Sequence, residues 1–266
     1  STRSYLNYMT IDYGILYVAT GEKCCKEAVL NARRTSSYNP EILISIKTDL
    51  VDYANTFGFF DKVLRFNNPS FSYRDKLVGM LDLPYRNTVF LDSDACLIQP
   101  SKHLYSILDC VDLAAVSAPV RHPPGWRDHT VPLLFPELNT GVILIRESIL
   151  SASLLYSWLE LYDSLFVSES QLWDQASFRS VVWSAIQKTN LSFMHLPIEV
   201  NLRTTKPWIA GRGMPVHVIH GRYPDFEFLP FVDYLNTDTD RFRSWSEWLR
   251  LNPDTEIRPR YDRTFN

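Results

Sequence analysis

From Ile15 to Asp94 the chain alternates short, strand-forming apolar runs with longer segments of helical spacing, an order that few folds accommodate. Ile15-Leu16-Tyr17-Val18-Ala19-Thr20 is rich in β-formers and stops at Gly21, so it predicts a buried strand opening into a loop. A helix is expected over about Lys23 to Ser37, then, after Pro40, a second strand at Ile42-Leu43-Ile44-Ser45-Ile46 and a short helix from Leu50 to Phe57. Asp61 to Phe66 gives a third strand, and Arg74 to Leu83 a helix stopped by Pro84. This β-α-β-α order implies an α/β fold whose central sheet is mostly parallel and flanked by helices.

The fourth run, Thr88-Val89-Phe90-Leu91, leads directly into Asp92-Ser93-Asp94. Parallel sheets bind ligands beyond the carboxyl ends of their strands, which is where this carboxylate pair falls. Arg121 to Pro136 is rich in Pro, His and Trp without periodicity and reads as a long functional loop. Asn139-Thr140-Gly141 opens the apolar strand Val142-Ile143-Leu144-Ile145, and helices are expected from about Ile149 to Phe166 and from Asp174 to Ile186. From Tyr223 onward the chain is rich in Pro, Asp, Arg and aromatics, a tail suited to wrapping the domain or contacting partners. No repeat or low-complexity linker divides the 266 residues, so a single domain is expected.

A net charge of -3 offers no excess of cations to a polyanion, which argues against nucleic acid as a partner. No stretch of about 18 apolar residues exists, and the start Ser1-Thr2-Arg3-Ser4 lacks the apolar core of a signal peptide. Any spanning helix or leader would lie outside this chain. Cys24, Cys25, Cys96 and Cys110 have no zinc-finger spacing and read as reduced thiols, which points to a reducing compartment. The expected location is cytoplasmic, with a membrane-peripheral protein or the catalytic fragment of a Golgi lumenal enzyme as alternatives.

Two carboxylates one residue apart, straight after a buried strand, can face one cleft and offer hard oxygen ligands to Mn²⁺ or Mg²⁺. Asp-Ser-Asp is also good turn chemistry, and the strand before it is what favours the metal. Leu83-Pro84-Tyr85 followed by Val89-Phe90-Leu91-Asp92-Ser93-Asp94 resembles the donor-site signature of GT-A-fold glycosyltransferases. Further on, Leu138-Asn139-Thr140-Gly141-Val142-Ile143-Leu144-Ile145 resembles the family's Asn-Thr/Ala-Gly-Val strand. Trp173-Asp174-Gln175 resembles its Asp-Gln helix start, and Val218-Ile219-His220-Gly221 its terminal metal-binding histidine. The blocks fall in family order over roughly residues 15 to 222, nearest the retaining branch of glycogenin-like and galactosyltransferase-like enzymes.

That resemblance implies a Rossmann-like GT-A domain over residues 1–266, with a donor-binding half (about 12–118), an acceptor and metal-completing half (about 119–222) and a tail (223–266). It also implies transfer of a sugar from a nucleoside-diphosphate sugar, UDP first and GDP as the alternative, to a glycan, glycolipid or protein acceptor. Asp92 would contact ribose and metal, and Asp94 and His220 would be direct ligands of Mn²⁺, with Mg²⁺ the alternative. Ser93 and Gly221 would stand beside them, with Thr20 and Gly21 at the base and ribose. His217 competes with His220, although the two would face opposite ways if Val216 to Ile219 is a strand. Lys76 would lie near the phosphates or sugar, where a cation offsets leaving-group charge; Arg74 is its alternative and a solvated helix lysine the plain reading.

Asn139, Asp174 and Gln175 would surround the transferred sugar, while Asn139 as a turn residue and Asp174 as a helix N-cap are the plainer readings. Asp128 and His129 are candidates, by location alone, for the base that inversion would require. The Trp126 loop and the aromatics from Tyr223 to Tyr234 could stack on sugars or pack inside. The chain departs from the glycogenin-like pattern in placing Lys206-Pro207-Trp208 before, not after, the histidine block. Two other classes compete: a nucleotidyltransferase making the sugar nucleotide, against which Thr20-Gly21-Glu22-Lys23 has a single Gly and an acid, and a non-catalytic carbohydrate-binding relative.

Overall fold

The computed structural model describes residues 12–121, 123–206, 210–239 and 245–257. The polar start at Ser1 to Ser4, His122 of the long loop, Pro207 and Trp208, and residues 240–244 and 258–266 of the tail lie outside the described residues. The chain opens as β1 (Tyr13–Val18), α1 (Glu22–Tyr38), β2 (Ile44–Thr48), α2 (Val51–Asn55), β3 (Lys62–Arg65), α3 (Tyr73–Met80) and β4 (Asn87–Leu91), the alternation read from the sequence. It continues through β5 (Ala95–Leu97), α4 (Lys102–Leu108), β6 (Leu113–Ser117), β7 (Leu138–Arg146), α5 (Ile149–Glu169), α6 (Gln175–Lys188) and β8 (Phe193–Leu196). Then follow β9 (Leu202–Arg203), β10 (Val218–His220), α7 (Phe228–Asn236) and α8 (Trp245–Leu251). No helix among the described residues is long and apolar enough to cross a membrane.

Seven strands form the main sheet in the order β3-β2-β1-β4-β7-β6-β8. Every neighbouring pair is parallel except the two that involve β7, which runs antiparallel to both β4 and β6. Reversal of that one strand brings its first residues, Asn139 to Gly141, to the carboxyl edge of the sheet beside the end of β4. The register against β6 also slips between Ala115 and Val116, which pair with Ile143 and Asn139, so residues 140–142 have no partner on that side. Such a bulge frees backbone groups and re-aims side chains.

Successive residues of a strand face opposite ways, and the two faces of the sheet carry separate cores. Ile15, Tyr17, Val89, Leu91 and Leu144 pack with Cys25, Ala28, Ala32, Leu104 and Leu108 of α1 and α4. Leu16, Phe90, Ile143 and Ile145 pack with Leu77, Met80, Leu154, Trp158, Phe178 and Val182 of α3, α5 and α6. Each such large side chain contributes about 1.5–3 kcal/mol on leaving water.

A second sheet, β5-β10-β9, has three strands. On it the tail helices bury Phe228, Phe231, Val232, Leu235 and Trp248 against Cys96, Ile98, Leu202 and Ile219. The described tail therefore wraps the domain. β5, α4, β6, β8, β9, α7 and α8 are not legible as elements in the sequence, and β10 overlaps the strand considered at Val216 to Ile219. β5 and β9 are too short to show a period, and the Leu-Ala-Ala-Val-Ser of β6 has weak strand propensity that full burial overrides.

α3 lies hard against β1, and a Cβ on Gly79 would come 2.6 Å from Val18 Cγ2. Gly→Ala inside a helix ordinarily stabilises by about 1 kcal/mol. Gly79→Ala should have the opposite sign, destabilising by about 1–3 kcal/mol as overpacking pushes α3 off the sheet. The urea unfolding midpoint reads the sign directly.

Candidate active site

The turn after β4 is built from backbone pairing. Asp92 N–H donates to Gly141 O at 2.8 Å, and Ala95 N–H to Asp92 O at 2.9 Å, which closes the Asp-Ser-Asp turn and starts β5. β10 pairs antiparallel with β5, His220 opposite Ala95, and Gly221 N–H donates to Asp94 O at 2.8 Å. This pairing carries His220 to the two carboxylates: Nε2 lies 3.2 Å from Asp94 Oδ1 and 3.8 Å from Asp92 Oδ2. One ligand atom from each of the three residues lies within 4.8 Å of the others.

The donor set fits a divalent cation such as Mn²⁺ or Mg²⁺ in its chemistry, two carboxylates and an imidazole. It also fits in its support, because His220 Nδ1 lies 2.8 Å from Asn201 Oδ1, an acceptor, which places a proton on Nδ1 and turns Nε2 toward the carboxylates, where it would give its lone pair to a metal. Asn201 in turn donates to Asn139 Oδ1 at 2.9 Å, as does Gly141 N–H. Gly141 is required here because a Cβ would overlap the His220 ring. The Asn-Thr-Gly block thus seats the histidine. Asn201 went unnoticed in the sequence because nothing local marks an Asn after a single turn of 3₁₀ helix. His217 faces away, with Nδ1 2.9 Å from Pro215 O and its ring packed on His103.

Lys76 is 6% exposed, so it is no solvated helix lysine. Its Nζ lies 2.6 Å from Asp174 Oδ2 and donates to Asp92 Oδ1 at 3.2 Å, Thr140 Oγ1 at 3.1 Å and Thr140 O at 3.3 Å. Burial works against its charge, but Asp174 and Asp92 outweigh that and raise its pKa. Arg74 is spent on Asp163, Nε at 2.8 Å and Nη2 at 2.9 Å. Asp174 stands at the N-cap of α6 but makes no side-chain cap bond; its carboxylate serves Lys76 instead.

Burial raises the pKa of Asp92 against the opposing charges of Lys76 and His220, whereas Asp94, also disfavoured by burial, is held below the usual range by His220, Arg222 and Arg203. Those two arginines were not singled out from the sequence. Arg203 Nη1 lies 3.1 Å from His220 Nε2. Arg222 clasps Glu27 (2.5 and 2.9 Å) and reaches 3.6 Å from Asp94 Oδ2.

A cleft of about 610 Å³ opens over this cluster. Thr20, Lys76, Asp92, Ser93, Asp94, Asn139, Asp174, Gln175, His220, Arg203 and Arg222 all line it, a volume suited to a nucleotide-sized ligand. Gly21 and Gly221 do not line it: Gly21, at φ +76°, donates its N–H to Asp49, and Gly221, at φ +146°, turns against Thr204. Asp128 also lies outside, bonded to Ser180 and Thr130, and so does the exposed His129. Of the aromatics considered, Tyr223 is stacked on Phe228 under the Arg34 guanidinium and Trp126 faces a side pocket. The rings that line the cleft are Phe71, Tyr73 and Trp173. All four cysteines are free thiols.

The side pocket adjoins the cleft at Pro123 and Ala176 and contains Glu137, whose Oε1 has no hydrogen-bond partner among the described residues. Burial pushes this carboxyl from its ordinary 4.5 up to about 7, incompletely opposed by Arg179 and Arg127 and assisted by Asp174. A carboxyl that holds its proton more tightly when folded favours the folded state below its unfolded pKa, and that advantage is lost as pH rises toward 7. Glu137→Gln should therefore stabilise the protein more at pH 8 than at pH 5, by on the order of 2 kcal/mol. Paired denaturant titrations at the two pH values check it.

No protein-family profile matches the sequence, and no curated protein matches it. Among solved structures, an active-site mutant of LgtC is similar with TM-score 0.53 and 15% identity over 79% of this chain and 88% of that one. Mouse xyloside xylosyltransferase 1 in its apo form is similar with TM-score 0.50 and 15% identity over 80% of this chain and 98% of that one. Likeness at this identity is a likeness of fold, and it spans most of both proteins. With its mostly parallel seven-stranded sheet flanked by helices and the carboxylate pair at the sheet's edge, the chain has the GT-A fold of the nucleotide-sugar glycosyltransferases.

Proposed function

We propose that this chain is a metal-dependent glycosyltransferase that moves a sugar from a nucleoside-diphosphate sugar, UDP first and GDP as the alternative, to a hydroxyl of a glycan, glycolipid or protein, with retention of configuration. The observation that carries this reading is the meeting of Asp92, Asp94 and His220 with three cationic side chains, Lys76, Arg203 and Arg222, in one cleft at the carboxyl edge of the sheet. Carboxylates with cations on several sides are what a bound diphosphate and its counter-ion need. A divalent cation, Mn²⁺ or Mg²⁺, would supply Lewis-acid charge to the diphosphate oxygens.

The chain's own groups do the rest. Arg203, beside His220, and Arg222, beside Glu27 and Asp94, are placed to turn to the phosphates, neutralising the leaving group as the glycosidic bond breaks. Lys76 holds Asp92 at one end and Asp174 at the other, fixing the distance between the phosphate end and the sugar end. Gln175, in the first turn of α6, offers an uncharged amide to an anomeric carbon that gains positive charge. In this reading residues 12–118 bind the donor, residues 119–222 complete the metal site and face the acceptor, and the tail braces β10.

Retention is supported by where the two candidate bases of the long loop lie among the described residues. Asp128 is committed to Ser180 and Thr130, and neither it nor His129 lines the cleft. The acceptor hydroxyl would then enter on the face the leaving group vacates, with its proton passing to a departing phosphate oxygen.

Asp94→Ala should abolish Mn²⁺-dependent hydrolysis and transfer while the melting temperature stays within a few degrees, because it removes a ligand at the cleft rather than a core contact. His220→Ala should match it and His217→Ala should be mild; the reverse order would mean that the other histidine is the ligand. Incubating a panel of UDP- and GDP-sugars with Mn²⁺ and following free nucleotide is the assay, and full activity in Asp94→Ala refutes the reading. Proton NMR of fresh product should show the donor's anomeric configuration. Gln175→Ala should lower kcat far more than it raises the donor KM, since its contribution grows with charge on the sugar.

A further inference from the structure

Phe71 combines features that packing alone does not explain. It is 66% exposed, it lines the cleft, and its backbone sits at φ +54°, a left-handed conformation that a bulky side chain adopts only under constraint. The constraint is Asp75, which is buried and accepts from Phe71 N–H at 2.8 Å, Ser70 N–H at 2.8 Å, Ser70 Oγ at 2.6 Å and Thr20 Oγ1 at 2.7 Å. Four hydrogen bonds to one buried carboxylate tie the segment before α3 to the end of β1 and hold a phenyl ring out over the cleft. Gly21 lies beside that ring, and a Cβ on it would come 3.3 Å from Phe71 Cδ1. Glycine there leaves the ring uncrowded.

The cleft has two chemically different ends. Toward α6 the polar groups of Asn139, Asp174 and Gln175 stand beside the Trp173 ring, a lining suited to a hydroxylated sugar. Toward β1 the lining sets Val18, Cys24 and the exposed Phe71 ring beside the polar Thr20, Ser72 and Asp75, an apolar face with a hydrogen-bonding rim that suits a nucleoside better than a bare phosphate. With a diphosphate at Asp92, Asp94 and His220 and a sugar at the α6 end, the group left for the β1 end is flat and aromatic.

On the glycosyltransferase reading above, we propose that Phe71 is the platform on which the donor's nucleobase stacks. Every base has a π-face, so the platform supplies affinity for a nucleoside over bare diphosphate and leaves the choice of base to the polar groups around it. The strain at Phe71 is the cost of presenting the ring, and Asp75 is the positioning residue that meets it.

A Phe71→Gly variant separates this role from packing, because glycine relieves a positive φ and should leave stability unchanged or raised. Calorimetric titration in Mn²⁺ with UDP, GDP and inorganic pyrophosphate as probes reads the function. In Phe71→Gly the Kd of the nucleoside diphosphate should rise about 10- to 100-fold, with that of pyrophosphate within about twofold. Phe71→Leu, which keeps apolar bulk without a flat face, should lose most of the same affinity, and Phe71→Trp should retain it. Unchanged nucleoside diphosphate affinity in the Gly and Leu variants, an equal loss for pyrophosphate, or a large fall in melting temperature for Phe71→Gly would overturn the proposal alone. Failure of the unsubstituted protein to bind either UDP or GDP would overturn the glycosyltransferase reading with it.

Discussion

One buried ammonium group organises the site. Lys76 Nζ, carried on α3, touches Asp92 at the end of β4, Thr140 at the start of β7 and Asp174 at the start of α6. Four elements meet at this charge, which burial alone would disfavour and two carboxylates retain. Removing one member of such a buried set typically costs about 3–5 kcal/mol, because the partners are left charged and unpaired. The spacing between the metal-type cluster and the helix that faces it is thereby fixed by electrostatics rather than by loop conformation.

Backbone topology places the groups that Lys76 connects. An all-parallel sheet would send the start of β7 to the amino edge, far from Asp92. Its reversal lays Asn139, Thr140 and Gly141 beside the end of β4, and the slip against β6 leaves the Thr140 carbonyl free to accept from Lys76. The three-stranded sheet does the complementary work. β5 starts one residue after Asp94, so pairing it with β10 delivers His220 from the far end of the chain. The tail helices cover the outer side of that sheet, which gives the tail a structural part in holding the site.

The same residues serve stability and chemistry at once. Gly141 belongs to the sheet and leaves room for the His220 ring, and Asn139 spends its side-chain oxygen on orienting that ring through Asn201. Asp75 is spent entirely on hydrogen bonds within its own neighbourhood, and what it yields is the placement of Phe71. Glu137 is the contrasting case, a carboxyl buried with one oxygen unsatisfied in a pocket next to the cleft.

Much of this was legible in the sequence because it is written locally. The β-α alternation, the strand ending in Asp-Ser-Asp, the Asn-Thr-Gly strand and the two histidines are short-range patterns, and period and turn chemistry expose them directly. What the sequence could not decide was which of two alternatives each long side chain takes. Asp174 could cap its helix or face the cleft, Lys76 could be solvated or turn toward the site, and the aromatics near Trp126 and Tyr223 could stack on a ligand or pack inside. Each choice depends on groups brought close by strand reversal and by the β5–β10 pairing, contacts between residues far apart in the chain. Burial then decided them, since removing water makes an unpaired charge costly and leaves each buried ion only the partner within reach.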